Sequence, residues 1–332
     1  MAGVLCFDGN CYELGNRVCV GLNGTARTNF QERKIICMSK RIESQVSRTA
    51  QMTLNMRAWS YYEKNKYYKS NDYIAPLIIP YLFRLLAKLN ILGTIFKKFA
   101  PKGIYEYCIA RTKLIDDIFK NSSEDIQQVL IFGAGFDSRA IRFKNELKQA
   151  MVFEFDAPIT QHNKVNLFEE KNIEFPSNLK LISIDFNKES LLCKLDEASF
   201  QKNMRCLFLL EGITMYLTQE SIDSTFSLIN QYAGNGSILV FDYVYASVIR
   251  QDNIYAGEEK LVQFVKKKGE RFSFGIEKAN VNDFLAKYNF ELVSEFDSNR
   301  LAERFFSDEK GVHISPVNEI HSIVIAKKTG DA

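Results

Sequence analysis

The chain has 332 residues, 46% of them hydrophobic and 25% charged. These are globular proportions, which exclude a disordered, collagen-like or coiled-coil chain. Lys and Arg number 43 against 40 Asp and Glu, a formal charge of +3, so no dense basic face for nucleic acid is expected.

Residues 1–37 are rich in Gly, Asn and Cys and show no sustained period; they read as an extension, with the folded protein beginning near Met38. They lack a basic start followed by an apolar core, so no signal peptide is expected. Four of the seven cysteines (Cys6, Cys11, Cys19, Cys37) fall here, while Cys108, Cys193 and Cys206 follow later. An odd count without a second pair at the Cys6–Cys11 spacing suits reduced thiols better than a disulfide framework or a zinc site. The three histidines, His162, His313 and His321, make no ligand spacing, so no metal site is expected.

Residues 38–121 carry apolar residues at spacings of three and four, punctuated by Pro76, Pro80 and Pro101, and predict a helical N-terminal lid region. The most apolar part, Tyr73–Phe99, is interrupted by Arg84, Lys88, Lys97 and Lys98, and its uncharged stretches fall short of the ~20 residues a bilayer span needs. With no membrane span, the cytoplasm is the expected location. The stretch Leu77–Phe99 reads as buried helix or lid packing in preference to an interfacial helix. Ile104–Lys120 predicts an amphipathic helix whose apolar side, with Tyr107, Cys108, Leu114, Ile115 and Ile118, also carries the unexpected charge of Arg111.

Short apolar runs then alternate with helical patterns. Strands are predicted at Gln128–Phe132, Met151–Phe155, Leu179–Ile184, Arg205–Leu210 and Ser237–Phe241, with helices at Pro158–Lys171 and Gln219–Tyr232 between them. Such alternation predicts βαβ units in a doubly wound α/β sheet covered on both faces. Residues 245–275 are charged and helical and read as a cap inserted over the carboxyl edge of the sheet. Lys266–Lys268 within it reads as a solvated face. Strands resume at Glu291–Phe296 and Ile320–Ala326.

The candidate site residues lie at strand ends, where open α/β sheets bind ligands. The first strand runs into Gly133-Ala134-Gly135-Phe136-Asp137-Ser138-Arg139. Its two glycines allow a sharp turn and close approach of a ligand, but Ser138 stands where a dinucleotide fingerprint needs a third glycine. Asp156 ends the second strand, where an acid can accept two hydrogen bonds from a ribose diol or cap the helix before Pro158. Asp185 and Phe186 follow the third, an acid–aromatic pair suited to adenine or, for the acid, to a cap. Glu211 ends the fourth, and a carboxylate after four apolar residues needs a partner. Tyr216 and Tyr243 read as packing residues that could line an acceptor pocket.

The blocks ARTKLIDDIF, VLIFGAGFDSRAIRF, VFEFDAP, LISIDF, FLLEGITMYLTQESID and ILVFDYV together resemble the leucine carboxyl methyltransferase-like family of class I S-adenosylmethionine-dependent methyltransferases. The resemblance covers roughly residues 42–327 and implies a Rossmann-like seven-stranded methyltransferase sheet over 122–328. It implies S-adenosyl-L-methionine as cofactor, with Arg111 on its carboxylate, Gly133 and Gly135 against it, Asp156 on the ribose, Asp185 and Phe186 at the adenine, and Glu211 by the amino group or sulfonium. Arg57, in NMRAW, is matched to the family's N-terminal cofactor contact; its alternative is a surface salt bridge, and that of Arg111 a structural ion pair. The implied reaction is O-methylation of a carboxylate or hydroxyl on a small molecule or protein C-terminus, without nucleic acid. A nicotinamide-dependent oxidoreductase and a non-catalytic nucleoside-binding protein are the alternatives.

Overall fold

The uninterrupted apolar runs QVLIF and CLFLL are buried along their whole length, as the central strands of a sheet covered on both faces must be. They are β1 (Gln128–Phe132) and β4 (Cys206–Leu210) of a seven-stranded sheet. Beside them run β2 (Met151–Asp156), β3 (Leu179–Ser183), β5 (Ile238–Val244), β6 (Phe290–Phe296) and β7 (His321–Lys328). The order is β3-β2-β1-β4-β5-β7-β6; all neighbours pair in parallel except β7, which runs antiparallel to both β5 and β6. The edge strand β3 is only half-buried. This is a computed structural model, and it describes residues 6–7, 10–11, 46–121, 125–184, 189–267 and 269–330. The expected start of the fold near Met38 lies outside the described residues.

Among the described residues, five helices precede the sheet. Ser47 starts α1 (Arg48–Tyr61), its Oγ accepting from Ala50 N at 3.1 Å. The apolar stretch that follows breaks at Pro80 and Asn90 into α2 (Ala75–Ile78), α3 (Tyr81–Lys88) and α4 (Ile91–Phe99). The reading of this stretch as buried holds for one face only: Ile78, Ile79 and Ala87 are buried, but Tyr81, Leu82, Leu85, Leu89, Ile91, Ile95 and Phe99 are all exposed. Apolar periodicity marks a face but not what that face meets. The long α5 (Ile104–Asn121) packs its apolar side against the core and α1, with Arg111 buried on it.

Between strands lie α6 (Arg139–Arg142), α7 (Pro158–Glu170), α8 (Leu191–Glu197) and α9 (Gln219–Tyr232). After β5 come α10 (Ala246–Arg250) and α11 (Glu258–Lys267), where a cap was expected. Neighbouring strand order reverses between β1 and β4, so their carboxyl ends part there and leave a crevice, the place for a ligand in such a sheet.

Candidate active site

That crevice holds a hollow into which the ends of β1, β2 and β4 open together. Arg57, Arg111, Gly133, Gly135, Asp156 and Glu211 all line it. Asp185 and Phe186, the other two sequence candidates, lie outside the described residues.

The glycine loop is held from both sides. Gly135 has φ +54°, and a Cβ there would stand 3.0 Å from Ala50 Cβ in the first turn of α1. Only a residue without a side chain keeps both the left-handed turn and the contact with α1. Below the loop, Gly135 N donates to Asp156 Oδ2, and Ala157 N donates to Asp156 Oδ1 at 2.6 Å. Asp156 therefore ties the loop to β2 and is not the N-cap of α7, whose cap position is Ala157. Burial pushes the Asp156 carboxyl up to about 6, against the opposing pull of the two amides.

Arg57 is buried, not the surface ion pair it could have been. Its Nη1 donates to Asp72 Oδ2 at 2.7 Å and its Nη2 to the Phe136 carbonyl at 2.8 Å, which pins α1 to the glycine loop. Arg111 is ion-paired on both sides: Nη1 donates to Asp242 Oδ2 at 2.5 Å, and Nε lies 2.9 Å from Glu211 Oε1 at an angle that makes no hydrogen bond. Burial opposes the charge on Arg111, but Asp242 and Glu211 outweigh it and hold the guanidinium protonated. Asp242 Oδ1 in turn accepts from Gly212 N at 2.6 Å, and Tyr107 Oη donates to Oδ2 at 2.8 Å.

Several residues at or beside the hollow had no mark in the sequence reading. Arg139 is 1% exposed and bridges Asp137 and Glu211, its Nη1 donating to Glu211 Oε2 at 2.7 Å. Its Nε donates to Asp116 at 2.9 Å, while its buried Nη2 has no hydrogen-bond partner among the described residues. Arg139 holds Asp137 down to about 2 although burial works the other way. Asp242 could have been found by the reasoning that marked Glu211, since it too follows an apolar run (ILVF). On another part of the wall, Thr49 Oγ1 donates to Glu270, and Tyr216 lines the hollow beside them. Tyr243 is remote, donating to Glu295 at 2.6 Å.

Among the described residues, the charged groups on the wall are three guanidiniums (Arg57, Arg111, Arg139) and four carboxylates (Asp137, Asp156, Glu211, Glu270). With every group ionised, the hollow carries one excess negative charge. It suits a ligand of net positive charge that brings its own carboxylate for an arginine and a diol for Asp156. S-adenosylmethionine meets that description, and the Arg139 Nη2 donor, which has no hydrogen-bond partner among the described residues, fits such a group.

A sheet ordered 3-2-1-4-5-7-6 with one reversed strand and a glycine loop after the first strand defines the Rossmann-like fold of class I methyltransferases. Residues 50–230, more than half of the chain, match the leucine carboxyl methyltransferase family, and the chain belongs to that family. Bacillus subtilis YktD, provisionally named an S-adenosyl-L-methionine-dependent methyltransferase, is 27% identical over 202 residues, 61% of this chain and 66% of that protein. A Mycobacterium marinum protein with the same provisional name is 26% identical over 155 residues, 46% of this chain and 51% of that one. The chain thus spans about half to two thirds of the length of these curated relatives. The crystal structure of a Thermobifida fusca protein provisionally described as a methyltransferase shares the fold, with a TM-score of 0.52 at 17% identity over 83% of this chain and 94% of that one.

Proposed function

We propose that the protein binds S-adenosylmethionine in the crevice between β1 and β4 and transfers its methyl group to an oxygen of a small-molecule or protein acceptor. The observation that carries this reading is the convergence of Gly135, Asp156, Glu211 and Arg111 on one hollow with a net negative wall. Bound there, the cofactor would supply a methyl group already activated by a sulfonium, so the protein needs no covalent nucleophile.

Each residue then has a task. Asp156 accepts from the ribose hydroxyls, for which it must be ionised. Arg111 offers its guanidinium to the methionyl carboxylate, and Glu211 faces the ammonium or sulfonium. Gly133 and Gly135 let the backbone lie against the ligand. Asp185 and Phe186 are assigned to the adenine. Both Nη atoms of Arg57 are already engaged, so its task is to hold α1 and the glycine loop in register. Methyl transfer in line also needs the acceptor oxygen aligned, dry and unprotonated. A hydroxyl acceptor requires a base, and Glu270, beside Thr49 and Tyr216 on the wall, is the carboxylate we assign to take that proton. The same negative charge would repel a carboxylate acceptor, which favours a hydroxyl.

The site disfavours a dinucleotide. Its pyrophosphate would sit at the start of α6, where Ser138 Oγ donates to Asp72 Oδ1 at 2.9 Å and accepts from Arg142 Nε at 2.8 Å. That hydroxyl is engaged on both sides and has no hydrogen left to give a phosphate.

Incubation with tritiated S-adenosylmethionine and fractionated cell extract tests the reading. Labelled product is expected to resist alkali if the acceptor is a hydroxyl and to release volatile methanol if it is a carboxylate. Absence of transfer to any fraction, from protein that binds the cofactor, would leave a nucleoside-binding protein and remove the enzyme.

A further inference from the structure

α3 and α4 each carry two apolar faces, and only one of them meets the core. Inward, Ala87 and Gly93 are buried and Phe96 packs on Trp59 with ring centroids 5.4 Å apart. One such stripe is enough to hold an amphipathic helix to a fold. Outward, Leu82 is 63%, Leu89 69% and Phe99 70% exposed, and Tyr81 and Ile95 lie with them. A face this large and this apolar marks a contact surface.

Its charge identifies the partner. Residues 73–105 contain no Asp or Glu, but they include Arg84, Lys88, Lys97, Lys98 and Lys102. Lys97 is engaged with Glu63 at 2.8 Å, whereas Lys88, Lys98 and Lys102 are exposed. In a chain of formal charge +3, this one segment holds five cations and no acid of its own, with Glu63 paired to Lys97 from outside it. By helical position, Arg84 and Lys88 flank the row of Tyr81, Leu82, Leu85 and Leu89, as Lys98 flanks that of Ile91, Ile95 and Phe99. Leu and Phe side chains bounded by lysines match the acyl boundary and phosphate layer of a bilayer. A second copy of the chain fits less well, because a two-fold contact would set this basic segment against itself. Residues 12–45 fit less well too, with six basic against three acidic side chains.

We propose that the α3–α4 hairpin seats this protein on an anionic lipid bilayer, with the outward apolar row in the interface and Lys88, Lys98 and Lys102 against lipid phosphates. No described helix is long and apolar enough to cross a membrane, so the protein would lie on the surface. The assignment is independent of the methyl-transfer reading.

Co-sedimentation of the full chain with vesicles tests it, using phosphatidylcholine alone or with added phosphatidylglycerol at equal total lipid. The wild type is expected to partition about tenfold more strongly onto the anionic vesicles, with binding weakened by salt. The variant Leu82→Gln/Leu89→Gln/Phe99→Gln, altered only at exposed positions, should melt like the wild type and stay in the supernatant. The variant Lys88→Glu/Lys98→Glu/Lys102→Glu should lose the preference for anionic lipid while keeping its apolar row. Wild-type protein that ignores both vesicles, or binds both equally, would overturn the proposal. So would variants that bind as the wild type does. A lipid-free dimer that the glutamine variant dissolves would assign the face to a second copy instead.

Discussion

Under the proposed function, Asp156 has two opposed duties. Folding buries its carboxyl and raises it from the ordinary range to about 6, whereas holding a ribose diol requires it ionised. Between pH 4 and 6 the folded state keeps a proton that the unfolded state gives up, so stability falls as pH rises through that window, by up to about 3 kcal/mol. Ligand affinity runs the other way. S-adenosylhomocysteine should bind about tenfold more weakly at pH 5 than at pH 7.5, because each unit below the pKa removes a factor of ten of ionised carboxylate. Titration calorimetry at the two pH values checks this, and equal affinities would show that Asp156 does not hold the ligand. Asp156→Ala removes two hydrogen bonds to a charged acceptor, each worth about 1.5–3 kcal/mol, so affinity should drop at least about 100-fold.

Arg111 stands at the centre of a buried chain of charge that runs from Tyr107 and Asp242 through Glu211 to Arg139. Arg111→Ala leaves Asp242 buried without its cation, while Glu211 keeps Arg139, at a cost of about 3–5 kcal/mol. Urea unfolding should report that loss. A cost below about 1 kcal/mol would mean the ion pairs do not hold α5 to β4 and β5.

Among the elements, α1 is the one that closes the hollow, since Ala50 abuts the glycine loop and Arg57 grips Phe136. Ala50 is half-buried, so Ala50→Trp should fill the space over Gly135 while the protein still folds. The expected result is a cooperative melt near that of the wild type with no S-adenosylhomocysteine binding; unchanged affinity would move the ligand away from α1. A helical lid over residues 38–121 was expected from the sequence, but the contact Arg57 makes was not legible there, because NMRAW has no period or spacing that tells a surface arginine from one that reaches a carbonyl 79 residues on. The strands were legible for the opposite reason. Runs such as QVLIF are buried on both faces and leave one reading of their pattern. The α3–α4 region shows where that logic fails, since Leu82 and Leu89 repeat with helical spacing yet face outward. Arg139 and Asp137 stood within the glycine run without an assigned role, because nothing in its spacing shows that the fold brings Glu211 and Asp116 to them.

At the scale of the whole molecule, the sheet order sets the crevice and the charge balance selects what enters it. One excess negative charge on the wall favours the cationic cofactor over its neutral product. S-adenosylmethionine should therefore bind more tightly than S-adenosylhomocysteine, with the gap closing as salt is raised. Competition titrations at two salt concentrations check that, and a preference for the product at low salt would contradict it. The most direct test of the central claim, that the ends of β1, β2 and β4 with Arg111 of α5 form one nucleoside site, is calorimetric titration of the folded wild-type chain with S-adenosylhomocysteine at pH 7.5. Saturable one-to-one binding is the expected result. Absence of any binding heat at high micromolar ligand, from protein that melts cooperatively, would contradict it.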